Sequence, residues 1–160
     1  MKIVYAIDKC DLKNSPSIFL AGPTPRSPEV KSWRPEAINL LEEYGFDGVV
    51  FVPESEDGIW KQSYVDQIEW EHRYLGSCTY ILMWVPRDLK TMLALTTNIE
   101  FGLYIDSGRI WYGRPDDAPN NAYLDFVYEK FTGAEPQKTL KSLIHAIMEG
   151  DNYVNGILRS

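Results

Sequence analysis

The sequence predicts an α/β fold in which a mostly parallel, five-stranded sheet is covered by helices on both faces. Short apolar runs typical of buried strands alternate along the chain with stretches whose apolar residues recur at helical spacing. Parallel strands need crossover connections, and helical crossovers cover both faces of a sheet. At 160 residues the chain has the length of one domain, so we expect residues 1–160 to form a single unit.

The predicted elements follow from local patterns. The strands are the five apolar runs 1–7 (an edge strand), 18–21, 49–52, 80–85 and 109–112. Helical spacing predicts four helices, at 29–44 with Gly45 as C-terminal cap, at 63–77, from Thr97 to Ser107-Gly108, and at 136–149. The last helix is amphipathic, with an apolar face formed by Leu140, Leu143, Ile144 and Ile147.

Three polar loops follow predicted strands, at residues 22–26, 53–57 and 96–100. Ligands of open α/β sheets bind beyond the carboxyl ends of the strands, where the strand order reverses. We therefore expect Arg26, Glu54 and Glu100 to surround one cleft. Arg26 has two open interpretations, because it would either bind the ligand or pair with Glu54.

Glu100 follows a strand and a loop, and two interpretations fit it. If Thr97 is the N-cap, Glu100 is the third helical residue, near unpaired N–H groups that favour its ionised, nucleophilic form. The same Thr97-x-x-Glu100 pattern is also a capping box, in which Glu100 only binds the Thr97 backbone.

A second carboxylate, Glu71, lies on the helix predicted at 63–77. The spacing of Tyr64, Ile68, Glu71 and Leu75 places it within an apolar stripe, where an acid needs a partner or a function. The alternative is a rotated helix on which Trp70 and Tyr74 face the core and Glu71 is solvated.

Composition limits the function. A net charge of −7 argues against binding to nucleic acid or to an anionic membrane, and it favours a small ligand. The 13% aromatic content predicts a ring-lined pocket or an interface. Two separated cysteines and two histidines predict neither a disulfide nor a metal site, and we expect no cofactor. With no signal peptide and no apolar run of about 18 residues, we expect a cytoplasmic protein.

Several motifs together resemble the nucleoside 2-deoxyribosyltransferase-like superfamily, over about residues 17–125. They are Ile18-Phe19-Leu20-Ala21-Gly22-Pro23, Trp70-Glu71-x-x-x-Leu75, the strand at 81–86, Thr97-Asn98-Ile99-Glu100-Phe101-Gly102 and Ser107-Gly108. The resemblance implies a flavodoxin-like three-layer sandwich with Glu100 as nucleophile. It also implies that Glu71, where relatives usually carry Asp, binds sugar hydroxyls, and that residues 120–123 complete a neighbouring subunit's site.

The sequence departs from the family pattern at two places. Phe19 stands where many transferases carry a Tyr that orients the nucleophile, so that bond is missing or comes from Tyr5, Tyr64 or Thr97. Thr79 or Tyr80 stands where an Asp often precedes the third strand.

The resemblance implies exchange of the base of 2′-deoxynucleosides through a covalent deoxyribosyl-glutamate, with retention. The alternatives are a 2′-deoxynucleoside 5′-monophosphate N-glycosidase and a noncatalytic nucleoside-binding module. We expect a homo-oligomer with shared sites, a nucleoside and a free base as substrates, and Glu54 or a water as proton donor. The rings of Trp33, Trp60 and Phe101 either sandwich the base or lie in the core. The expected substrate-binding residues are Gly22, Pro23, Arg26, Trp33, Glu54, Thr97, Asn98, Asn120, Asn121 and Tyr123.

Overall fold

A computed structural model describes residues 1–12, 15–57 and 63–158. The strands are β1 (Lys2–Tyr5), β2 (Ser17–Ala21), β3 (Val49–Val52), β4 (Tyr80–Trp84) and β5 (Ile110–Gly113). The helices are α1 (Arg34–Glu43), α2 (Tyr64–Ser77), α3 (Leu95–Tyr104), α4 (Ala122–Thr132) and α5 (Leu140–Leu158), and a short 3-10 helix, Ile105–Ser107, continues α3. Trp60, one of the rings expected to stack on a base, lies outside the described residues.

All five strands pair in parallel, in the order β1-β3-β2-β4-β5. The parallel sheet and the edge position of the first strand are therefore confirmed. From the central strand β2 the chain first adds β3 on one side and then crosses back to add β4 on the other. The order thus reverses beside β2, which is where an open α/β sheet forms a ligand-binding crevice.

Two apolar cores lie on the two faces of this sheet. One packs α2, α3 and α4 against inward-facing residues such as Phe19, Phe51 and Met83. The other packs α1 and α5 against residues such as Leu20, Val50 and Leu82. Alternate residues of each strand enter opposite cores, as the pleat requires. The arrangement is a three-layer, flavodoxin-like sandwich, as expected.

Helix α1 begins at Arg34 rather than at residue 29 as predicted. The reason is Pro35, which fits the first turn of a helix but would break its interior because it lacks an N–H. The predicted C-terminal cap is confirmed. Gly45 has φ +74°, and the N–H groups of Gly45 and Phe46 donate to the carbonyls of Glu42 and Leu41.

Helix α3 begins three residues earlier than predicted, at Leu95. Its N-cap is Ala94, which has a left-handed φ of +60° and makes no side-chain capping bond. Thr97 is therefore the third helical residue and Glu100 the sixth. The predicted capping box is wrong, and so is the expectation that the first-turn N–H groups favour ionised Glu100.

The C-terminal third contains one helix that periodicity did not predict. Helix α4 covers residues whose aromatic side chains suggested only an apolar segment, and it buries Leu124 and Tyr128. The following helix, α5, starts at Leu140 after the capping residue Thr139, whose hydroxyl accepts a hydrogen bond from the Ser142 N–H. Its predicted apolar face is confirmed, since all four residues are buried. Along the described part of the chain, every helix is too short or too polar to cross a membrane.

Candidate active site

A cleft of about 230 Å³ opens at the carboxyl ends of β2, β3 and β4, beside the point where the strand order reverses. The loop after β2, the start of α3 and one side of α2 form its walls. Its lining residues are Gly22, Pro23, Thr24, Pro25, Arg26, Arg34, Pro53, Tyr64, Gln67, Glu71, Leu93, Ala94, Leu95, Thr96, Thr97 and Glu100. The predicted convergence of the three polar loops is confirmed for Arg26 and Glu100, whereas Glu54 does not line the cleft.

Gly22 allows the loop after β2 to leave the sheet close to its neighbour β4. Its φ of +147° is a conformation that other residues rarely adopt. A Cβ at this position would lie 2.1 Å from the carbonyl oxygen of Trp84 and 2.8 Å from the Trp33 ring. The loop is also tied to the segment after β4 by a backbone bond from the Arg26 N–H to the Thr91 carbonyl, 2.9 Å long. The wall of the cleft is thus fixed by backbone geometry.

Glu100 points into the cleft from the second turn of α3. Its side chain is only 9% exposed, and no described residue hydrogen-bonds its carboxyl group. Phe19, at the place of the family's orienting Tyr, is buried against Trp70 and offers no hydroxyl. Of the three substitutes considered, Tyr64 and Thr97 line the cleft whereas Tyr5 does not. Glu100 is therefore a nearly buried acid whose oxygens remain available to a ligand.

The surroundings of Glu100 favour its neutral form. Burial raises its pKa to about 8, the negative charge of Glu71 acts in the same direction, and the positive charge of Arg34 opposes both. A carboxylic acid with such a pKa exchanges its proton near neutral pH, which suits acid-base and nucleophilic chemistry. The sequence argument expected an ionised group here, and the buried position in the second turn of α3 explains the difference.

Glu71 lies beside Glu100 in the cleft, on helix α2. Burial raises its pKa, and a hydrogen bond from the Gln67 amide, 2.8 Å long, partly offsets that effect. The helix is rotated as the alternative interpretation had it, because Trp70 and Tyr74 are buried in the core. Glu71 is nevertheless not solvated, since the turn that buries these rings directs it to the cleft.

Arg34 is a wall residue that the sequence argument did not single out. It is 1% exposed, and four of its N–H groups are bound. Nε donates to the Leu20 carbonyl at 3.0 Å and Nη2 to the Gly22 carbonyl at 2.7 Å. Nη1 donates to Thr24 Oγ1 at 3.1 Å and to Glu54 Oε1 at 2.5 Å. One arginine thus joins α1, the loop after β2 and the loop after β3.

Glu54 is held in place away from the cleft. Its Oε1 also accepts a hydrogen bond from the Ser32 hydroxyl at 2.9 Å. The expectations that Glu54 binds substrate or protonates the leaving base are therefore not supported by its position, because Glu54 does not line the cleft and its Oε1 accepts hydrogen bonds from Arg34 and Ser32. Arg26 does not pair with Glu54 either. Its side chain is exposed at the cleft and forms no ion pair with any described residue.

Three further predicted site residues do not reach the cleft. Trp33 is buried, with its Nε1–H donating to the Pro23 carbonyl at 3.1 Å, so it supports the loop from behind. Phe101 packs in the core against Tyr112. Asn98 lies on another side of α3, where its Oδ1 accepts a hydrogen bond from Arg87 at 2.6 Å. These positions follow from helical geometry, because residues 98 and 101 point away from residues 97 and 100.

A second hollow, of about 430 Å³, lies between α3 and α4. Its lining is mostly apolar and includes Phe101, Ile105, Leu124, Val127 and Phe131, with Asn98 and Asn120 at its polar places. Around it, α3 exposes Leu95, Ile99 and Leu103, and α4 exposes Tyr123, Phe126 and Phe131. We call these six exposed residues and the hollow the α3–α4 face.

The segment expected to reach a neighbour's site adjoins this face. Asn120 and Tyr123 are exposed, and Asn120 has a left-handed φ of +56°. Asn121, by contrast, is 3% exposed and its amide donates to the Ala118 carbonyl within the same chain. Asn121 therefore cannot extend into a partner, whereas Asn120 and Tyr123 are free to do so.

Thr79, where the family often carries an Asp, forms two reciprocal hydrogen bonds with Ser17. The Ser17 N–H donates to the Thr79 hydroxyl at 3.0 Å, and the Thr79 N–H donates to the Ser17 hydroxyl at 3.1 Å. These bonds join the starts of β2 and β4, far from the cleft. Among the described residues, no group of three or more His, Cys, Asp or Glu side chains is placed to hold a metal ion.

Comparison with known proteins agrees with this geometry. The family model described as nucleoside 2-deoxyribosyltransferase like matches residues 15–118, which include the cleft walls and both glutamates. The chain belongs to this family. The match ends before α4 and α5, so family membership covers the cleft but not the helix that carries Tyr123. A search of the curated proteins finds no match.

The residue missed by sequence reasoning, Arg34, did leave a signal in the helical pattern. Arg34, Ala37 and Leu41 are spaced three and four residues apart, so the arginine lies on the buried face of α1. A cation at a core position requires acceptors. The same test that selected Glu71 would have selected Arg34.

Proposed function

We propose that this protein exchanges the base of 2′-deoxynucleosides, with Glu100 as the nucleophile. The observation that carries the proposal is a nearly buried carboxyl group with no hydrogen-bond partner among the described residues, facing a small cleft beside a second carboxyl group. Deoxyribose chemistry needs such a group, because the transition state at C1′ has oxocarbenium character and a fixed negative charge stabilises it. Family membership supports the same choice of residue.

In the first step a Glu100 oxygen bonds to C1′ while the C1′–N bond breaks, and the base leaves with that electron pair. The departing base takes up a proton. Since Glu54 is held outside the cleft, we assign this proton to a water molecule. An incoming base then gives up its N–H proton to water and attacks C1′, the ester bond breaks, and Glu100 is released as a carboxylate. Two displacements give overall retention.

The role of Glu71 in this proposal is to bind sugar hydroxyl groups. Its carboxylate reaches the cleft next to Glu100, and Gln67 fixes it through the hydrogen bond along α2. A cleft of about 230 Å³ is smaller than the 300–1,000 Å³ usual for ligand pockets, so it suits a sugar better than a whole nucleoside. The base would project beyond the walls that this chain supplies, which supports a contribution from a second subunit.

Incubation of the protein with thymidine and free adenine tests the function. Base exchange produces deoxyadenosine, and thymidine alone then yields a deoxyribosyl adduct detectable by intact mass, which Glu100→Gln lacks. Double-reciprocal plots are parallel, as covalent transfer requires. Release of thymine without deoxyadenosine would indicate a hydrolase, and an unchanged substrate would indicate a binding module.

A second candidate, hydrolysis of 2′-deoxynucleoside 5′-monophosphates, is favoured by one observation. The unpaired Arg26 shares the cleft with the first turn of α3, whose N–H groups have no side-chain cap. A helix N-terminus beside an arginine suits a phosphate group. In this case Arg26→Gln raises the KM for thymidine 5′-monophosphate about tenfold or more and leaves the KM for thymidine unchanged. Equal KM values for the two substrates in the wild-type protein would refute this candidate.

We also propose that the protein is a homo-oligomer whose sites are shared between subunits. The apolar α3–α4 face supports association, because monomers rarely expose large contiguous apolar surfaces. Asn120 and Tyr123 are the residues of that face free to enter a partner's cleft.

A further inference from the structure

The structure assigns a positioning role to Arg34: it holds the loop after β2 as a wall of the cleft and supplies a positive charge that favours the carboxylate form of Glu100. This inference rests on the proposed function and adds to it a residue outside the pair of glutamates. Its basis is the position of a fully buried guanidinium between the loop after β2 and the loop after β3.

The contacts of Arg34 match what the wall of the cleft needs. The Leu20 and Gly22 carbonyls are at the end of β2, and Thr24 lies two residues further along the loop. All three accept hydrogen bonds from this one side chain. A guanidinium has five N–H groups in a rigid plane, so binding four acceptors fixes their relative positions. The shape of the loop that faces the sugar thus depends on Arg34.

The same side chain is a cation that acts on both glutamates. Arg34 lines the cleft with Glu71 and Glu100, and it acts electrostatically on both. Two other groups act on the glutamates: His72 on α2 acts on Glu71, and Glu71 acts on Glu100. The charge of Glu100 also acts on Tyr104 of α3. Glu54 partly neutralises Arg34 from the far side. The Arg34–Glu54 pair therefore sets how much positive potential reaches Glu100.

Three variants separate the effect of the Arg34 charge from the effect of its planar guanidinium on the shape of the loop. Arg34→Met removes the cation, so the pKa of Glu100 rises by about one unit. Glu54→Gln leaves Arg34 and its carbonyl contacts in place without the neutralising charge, so the pKa of Glu100 falls. Arg34→Lys keeps the charge but not the planar fork, so the pKa of Glu100 stays within a few tenths of a unit while kcat falls about tenfold or more.

The experiment is a carboxyl-carbon NMR titration of ligand-free, Glu-labelled protein, with the Glu100 signal assigned through its absence in Glu100→Gln. The kcat/KM pH profile of each variant is measured beside it. Shifts of the Glu100 pKa in opposite directions for Arg34→Met and Glu54→Gln support the inference. If Arg34 only held the loop in place, both substitutions would loosen the loop and would shift the Glu100 pKa in the same direction. Shifts of the same sign, or no shift in either variant, would overturn it.

Two outcomes separate this inference from the proposed function. If Arg34→Met fails to fold, the fall in pKa in Glu54→Gln still decides the sign of the effect. If the wild-type protein shows no glycosidic activity and the opposite shifts are nevertheless found, the proposed function is refuted and the electrostatic role of Arg34 is supported.

Discussion

Helix α3 borders two hollows of opposite character. On one side, Thr97 and Glu100 face a cleft with two carboxyl groups and a buried arginine. On the other, Phe101 and Ile105 line an apolar hollow surrounded by exposed rings and aliphatic chains. A polar group left without partners in a protein points to chemistry, whereas apolar area left uncovered points to association. Successive residues of a helix are rotated by about 100°, so Glu100 faces the polar cleft while its neighbour Phe101 faces the apolar hollow.

The largest effect expected at the cleft is loss of activity in Glu100→Gln. Gln has the same shape and cannot form the glycosyl ester, so base exchange should fall by about 10³-fold or more. In the wild-type protein kcat/KM should rise with pH and level off above about 8, as Glu100 ionises. Coupled assays of thymidine–adenine exchange over pH 5–9 measure both. A variant that retains more than about a tenth of the activity would exclude Glu100 as nucleophile.

The same substitution should increase the stability of the protein at high pH, because burying the ionised carboxyl group of Glu100 destabilises the folded state. The pKa of Glu100 is raised from its ordinary 4.5 to about 8, so the folded state binds the proton more tightly than the unfolded state does. Stability from this group is complete below pH about 4.5 and is lost as pH rises through about 8. Glu100→Gln should therefore match the wild type at pH 4 and exceed it by about 5 kcal/mol at most at pH 9. Urea unfolding at both pH values tests this, and equal stability at pH 9 would contradict the burial argument.

Glu71→Ala should lower kcat/KM about 10²-fold, since it removes a group that positions the sugar. Removal of its negative charge should also lower the pKa of Glu100 and move the rising limb of the pH profile to lower pH. Glu69→Ala is the matched control, because Glu69 is exposed on the same helix and does not line the cleft. Steady-state kinetics that are alike for both variants would remove Glu71 from the site.

Gly22→Ala should destabilise the protein by about 3 kcal/mol or more, because its Cβ would overlap the Trp84 carbonyl at an unfavourable φ. Gly76→Ala should do the reverse. Gly76 is exposed within α2 with no atom near its added Cβ, so Ala gains about 0.5–1 kcal/mol of helix stability. Thermal unfolding of the two variants compares them directly. A Gly22→Ala protein as stable as the wild type would show that the wall of the cleft can move.

Substitutions on the α3–α4 face should have the smallest effect on the stability of a single subunit. Ile99→Lys should dissociate the oligomer with little loss of monomer stability, since residue 99 is already exposed. Activity should fall on dilution together with dissociation. Asn39→Lys adds the same charge to an exposed position of α1, on the opposite layer, and should leave assembly intact. Light scattering decides the matter, and a wild-type monomer with full activity at nanomolar concentration would refute shared sites.

The sequence by itself determined the sheet, most helices and the two glutamates. Apolar runs and helical spacing are local properties, so they locate β1 to β5 and the buried face of α5 without further information. The carboxyl ends of parallel strands meet at one edge, which is why three polar loops could be expected to converge. Helix starts were less certain, because Pro35 and the left-handed Ala94 shift them by a few residues.

The tertiary structure alone decided which side chains face the cleft and in which charge state. A three-residue shift of the α3 start moved Glu100 from the first turn to a buried second turn, and so reversed the expected direction of its pKa. Glu54 pairs with Arg34 and does not line the cleft. The acceptors of Arg34 are far from it in the chain: Leu20 and Gly22 lie 14 and 12 residues earlier, and Glu54 lies 20 residues later. Such pairings depend on distances between elements that no local pattern encodes, because burial and electrostatics act through space.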